Sequence, residues 1–91
     1  MTLDEFRKMP APPEFGPLAA LWHDAHGDWA LAHEVVQDDS SAEAAWVHAY
    51  LHRKEGDIGN ARYWYSVAGQ PEFAGSLDEE RDSIGKALLQ H

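Results

Sequence analysis

Apolar and polar positions alternate with a helical period along most of the chain, and the stretch from Ser40 to Pro71 shows it most clearly. Ser40 and Glu43 stand three apart, the spacing at which each side chain satisfies the other's backbone N–H, so a helix is expected from about Ser41. Ala42, Ala45, Trp46, Ala49 and Tyr50 then recur at three-and-four spacing on one face, with Glu43, Arg53 and Lys54 elsewhere. Gly56 supplies the left-handed residue that ends a helix, and Asp57 is a good N-cap for the next. That second helix places Ile58, Ala61, Tyr65 and Ala68 on one face, widened by Tyr63, Trp64 and Val67, and stops at Gly69 ahead of Pro71. Helices joined by so short a turn run antiparallel.

The same grammar precedes and follows this hairpin. Pro17 suits a helix start, and Leu18, Leu21, Trp22 and Ala25 share a face up to Gly27. Asp28 caps a second helix carrying Trp29, Ala32, Val35 and Val36 to about Gln37. After Pro71, Ser76 and Glu79 form another capping pair ahead of Leu77, Ile84, Ala87 and Leu88, with Asp78, Glu80, Arg81 and Asp82 expected outside. Four prolines, at 10, 12, 13 and 17, keep the N-terminal arm extended apart from a turn capped by Thr2 and Glu5. Phe6, Met9 and Phe15 are expected to pin that arm across the helices.

The fold class is therefore all-α: two antiparallel helical hairpins, residues 17–37 and 41–69, with a capping helix over 77–90. A Pro-rich arm over 1–16 leads into one helical domain over 17–91. Gly27-Asp28 and Gly56-Asp57 stand 29 residues apart, and that offset also superposes Ala32 on Ala61, Val36 on Tyr65 and His23 on His52. This reads as an internal duplication.

Asp57, Ala61, Trp64, Tyr65, Ala68 and Gly69 resemble the second helix of Sel1-like and tetratricopeptide repeats, and Trp46, Ala49 and Tyr50 match the first helix loosely. The run HAYLHRKEGDIGNARYWYSVAG is also similar to small bacterial and fungal proteins of uncharacterised activity. The repeat resemblance implies stacked hairpins and a role in binding a protein or peptide. The 29-residue offset is shorter than the tetratricopeptide period of about 34, a departure from that family's pattern.

Composition narrows the function classes. A chain of 91 residues, 44% hydrophobic and 25% charged, is globular and holds one core. A net charge of −9 with only seven Lys and Arg argues against nucleic acid and against anionic membrane surfaces as partners. The absence of cysteine removes disulfides, thiolate metal sites and thiol catalysis. No apolar run spans a bilayer and the N-terminus lacks a secretory h-region, so a cytoplasmic location is expected.

Histidine is the one over-used chemical residue. His48 and His52 are four apart on a helix, a spacing that lets both bind one metal ion. A third donor must come from His23, His26, His33, Asp24 or Asp28, and the duplication favours His23, His26, His48 and His52 as the candidate metal set, with Asp28 or Asp57 nearby. The HExxH context is missing. His33-Glu34 and Arg53-Lys54-Glu55 read as solvated faces with local ion pairs.

Nucleophilic catalysis has no support, since Ser40, Ser41 and Ser76 read as caps, and no glycine-rich phosphate loop follows a strand. No catalytic residue and no cofactor is called for, while acid/base work by Asp57, Glu55 or a histidine stays open under the alternative of a small-molecule or metal-binding, enzymatic protein built on the His, Asp and Trp cluster. Tyr63, Trp64 and Tyr65 cannot share one direction on a helix, so at least one leaves the core. Trp64 or Tyr63, with Asn60 and Arg62 a turn away, forms the candidate patch for a protein or peptide partner, a second copy of the chain included.

Overall fold

The computed structural model describes residues 1–90 and is all-helical over them. His91, the last residue of the expected domain, lies outside the described residues. The helices are α1 (Leu3–Arg7), α2 (Gly16–Ala25), α3 (Trp29–Gln37), α4 (Ala42–Lys54), α5 (Ile58–Ala68) and α6 (Leu77–Leu89). The N-terminal arm is thus extended only in part. Thr2 and Glu5 close a full capping box over α1, which seats Phe6 in the core.

Both hairpin turns use one device. Gly27 and Gly56 have φ of 85° and 86°, the region where a Cβ is strained. Asp28 N–H donates to the His23 carbonyl and Asp57 N–H to the His52 carbonyl, each at 2.9 Å, closing the preceding helix. The Asp side chains then cap α3 and α5 by accepting from Leu31 and Asn60 N–H. The 29-residue offset therefore superposes two turns with the same hydrogen bonds. The cap of α4 differs from expectation: Ser41, not Ser40, accepts from Ala44 N–H, so Glu43 closes no box.

Helix α4 is the centre of the molecule. It packs against α2, α3, α5 and α6, and the consecutive residues from Val47 to His52 are all buried. Its small residues permit this, Ala44 and Ala49 having no exposure at all. One apolar cluster joins Leu21, Val36, Val47, Leu51, Ile84 and Phe6. A second gathers Ala49, Ala61 and Tyr65, with Trp46, Trp64 and Phe73 packed on it. Ala42 and Ile58, expected on the inner faces, are exposed, because each is a first-turn residue beyond its neighbours' reach.

Helix α6 covers α4 and α2 and carries a charge inward. Glu80, expected outside, has no exposure: it accepts from the Tyr65 hydroxyl and from Arg53 Nη1 at 2.9 Å. Arg53 also donates to the Gly75 carbonyl in the loop before α6. Lys54 reaches Asp24 Oδ1 at 2.8 Å. Arg53 and Lys54 therefore do long-range work instead of lying on a solvated face. No helix among the described residues is long and apolar enough to cross a membrane.

Candidate functional site

Helices α3 and α5 each lie against α4 without packing on one another, which leaves a trough between them floored by α4. Residues 41, 45, 48, 52 and 55 follow at four- and three-residue steps, so Ser41, Ala45, His48, His52 and Glu55 form one stripe along that floor. Its chemistry changes from end to end: small and apolar at the start of α4, imidazole in the middle, carboxylate at the turn into α5.

The middle of the trough is a stack of rings. His48 lies with its centroid 4.7 Å from that of His52 and 4.0 Å from that of Trp64, in both cases nearly parallel. His33 comes across from α3 and meets His48 edge-on, their Nε2 atoms 3.0 Å apart. Trp29 stacks on the outer face of His33 at 5.0 Å and is itself fixed by its indole N–H to the Leu51 carbonyl at 2.8 Å. One nitrogen from each of His33, His48 and His52 lies within 4.8 Å of the other two.

Electrostatics follow from that crowding. Burial first, then the neighbouring His52 and His33, hold the His48 imidazole down to about 4. Burial and His52 lower His33 as well, against a smaller opposing pull from Glu55. His33 and His48 are thus both held toward the neutral form, with their Nε2 atoms facing. Glu55 Oε1 takes a hydrogen bond from His52 Nδ1 at 2.7 Å, and the Asp57 carboxylate lies close to both.

The candidate metal set from the sequence is not the set brought together. His23 packs edge-on against Trp22, and His26 stacks on Trp22 with its Nδ1 bonded to the Trp22 carbonyl at 2.8 Å. Neither joins His48 and His52, because the face of α4 that carries the pair looks toward α3 and not toward the end of α2. His33 is the donor that meets them. Asp24 is committed elsewhere, to Tyr50 and Lys54, and Asp28 caps α3.

The four residues of the partner patch lie along α5, with Asn60, Arg62 and Tyr63 exposed and Trp64 half-buried. Asn60 Nδ2 donates to Asp57 at 2.6 Å and Arg62 Nε to Glu72 at 2.9 Å, both at exposed positions. Tyr63 is 60% exposed, Tyr65 is buried, and Trp64 stands between them against His48. Beyond Trp64 the trough opens into a cavity of about 300 Å³ lined by Ala45, Trp64 and Val67 on one side and by Gln37 to Ser41 on the other. Asp38 and Asp39 are among its lining residues. Sequence patterning did not find this cavity, since its walls come from α3, α4 and α5 together.

No protein-family model, curated protein or solved structure matches this chain.

Proposed function

We propose that the chain is a small helical interaction module that seats a segment of a partner protein at the open end of the trough between α3 and α5. The observation that carries this reading is the separation of α3 from α5, which leaves Ala45, Trp64 and Val67 as an apolar lining reached from solvent. Val67 is 47% exposed although it is a β-branched aliphatic on a helix, and the exposed Tyr63 stands beside Trp64 on the same helix.

Charge selects the occupant. Asp38 and Asp39 flank the lining, and the chain carries −9 overall, so the fitting segment has one apolar side chain beside Lys or Arg. A second copy, itself at −9, suits that acidic lining less well. The resemblance of the second hairpin to Sel1-like and tetratricopeptide repeats supports a binding role of this kind.

Titration of short peptides carrying Leu or Phe between lysines, followed by amide chemical shifts, tests the reading. Shifts centred on Ala45, Trp64 and Val67, weakened by salt and lost in Val67→Arg, are the expected result. Shifts confined to α6, or binding equal in Val67→Arg, defeat it. A stable dimer in light scattering that dissociates in Val67→Arg would replace the foreign partner with a second copy.

A further inference from the structure

The chemistry of the ring stack goes beyond a peptide seat. Three imidazoles converge from two different hairpins, and the structure gives them almost no hydrogen bonding to one another. The one polar contact among them is the pair of facing Nε2 atoms of His33 and His48 at 3.0 Å. His48 is buried, and its Nδ1 has no partner. Three histidines are an expensive way to fill a core that Leu or Phe would fill without a polar atom to satisfy.

We propose that His33, His48 and His52 bind one divalent transition-metal ion of the zinc class. Donors around a tetrahedral zinc lie about 2.0–2.1 Å from the ion, which sets neighbouring nitrogens about 3.3 Å apart. The His33 and His48 nitrogens stand close to that separation already, and the third lies within 4.8 Å of both, a gap that a ring rotation closes. Facing lone pairs hold either a proton or a cation between them.

His52 is prepared for the same role by its other nitrogen. The Glu55 carboxylate binds Nδ1 at 2.7 Å, which keeps the proton on that side and leaves Nε2 with its lone pair free. Glu55 is thus a positioning residue, and with Asp57 it places negative charge beside the cation. Imidazole donors without carboxylate or water-rich coordination favour zinc, cobalt, nickel or copper over magnesium and calcium. Three protein donors leave a fourth position of a tetrahedral ion to water or an added ligand. Ligands from α3 and α4 make the ion a clamp between the two hairpins.

Cobalt(II) titrated into the tag-free chain is the test, with zinc(II) as competitor. Expected are one equivalent bound, the visible absorption bands of a four-coordinate cobalt site, displacement by zinc and a raised Tm with either ion. His33→Gln and His52→Gln each weaken binding at least about 100-fold, while Glu55→Gln keeps the stoichiometry and loses about 10- to 100-fold in affinity. The double variant His23→Ala/His26→Ala binds as the parent does. No saturable binding by the folded parent chain overturns the proposal and leaves the rings as packing. Binding kept in both His33→Gln and His52→Gln, or lost in His23→Ala/His26→Ala, overturns it too, by placing the ion elsewhere. Circular dichroism of each variant shows that it is folded before its affinity is compared.

Discussion

The Tyr50 hydroxyl donates to Asp24 Oδ2 at 2.5 Å, tying the middle of α4 to the last turn of α2 with both side chains buried. Burial and this bond hold the Tyr50 hydroxyl far above the usual tyrosine range, so it stays a donor under all ordinary conditions. Asp24 also receives Lys54, and the trio accounts for a carboxylate that is otherwise sealed in the core.

Tyr50→Phe keeps the ring and removes the donor, leaving a buried carboxylate short of one partner. The expected loss is about 1–3 kcal/mol in urea unfolding. Tyr63→Phe is the matched control, since Tyr63 is exposed, and should change stability by less than about 0.5 kcal/mol. Equal effects from the two substitutions would show that the Asp24 bond contributes nothing net.

Glu80 presents the same problem at the other side of α4, solved with Tyr65 and Arg53. Arg53→Ala strips the counter-charge from a carboxylate with no exposure, and breaking such a pair costs about 3–5 kcal/mol. The double variant Arg53→Ala/Glu80→Gln should recover part of that loss, because the uncompensated charge is gone. Thermal unfolding of the four members of this cycle measures the coupling. A double variant no more stable than Arg53→Ala would place the cost in lost packing of the arginine stem and its Gly75 contact.

The parts of this architecture that depend on neighbours in sequence were legible from it. The Gly-Asp turns at 27–28 and 56–57, the Ser76–Glu79 box and the inward faces of α2 and α3 all rest on contacts within about one helical turn. Helix direction relative to other helices is not local. His48 and His52 share a face by spacing, but which helix that face meets is decided by how α3 crosses α4. Equivalence of His23 and His52 under the 29-residue offset is real for the backbone, where both carbonyls accept from an Asp N–H, and false for the rings. Glu80 reads as a surface residue because nothing near it in sequence announces that Arg53 and Tyr65 will surround it.

Gly56 and Gly59 sit three residues apart and should answer oppositely to alanine. Gly56 has a φ of 86°, so Gly56→Ala places a Cβ in the left-handed region at a cost of about 1–2 kcal/mol. Gly59 lies in α5 with open space around the Cβ position, and Gly59→Ala should stabilise by about 1 kcal/mol through helix propensity. The pair is compared by Tm in one buffer. Stabilisation by both would mean that the turn can leave its left-handed geometry without disturbing Asp57.

Acid should unfold the metal-free protein partly through His48. The groups around it are the His33, His52 and Trp64 rings, with Glu55 beyond His52. Burial, then His52 and His33, lower the folded His48 to about 4, whereas an unfolded histidine titrates near about 6.5. Above about pH 6.5 both states are neutral and the contribution is intact. As pH falls toward 4 the unfolded chain takes a proton that the folded one refuses, so stability is lost across that window and the loss levels off below it. One proton over this interval amounts to on the order of 3 kcal/mol. Urea unfolding in the presence of a chelator, at steps through the window, should show a steeper decline for the parent chain than for His48→Gln, by up to one proton's worth of slope. Parallel slopes would mean that His48 takes up its proton in the folded state as readily as in the unfolded one, and that the ring stack opens to water before the helices part.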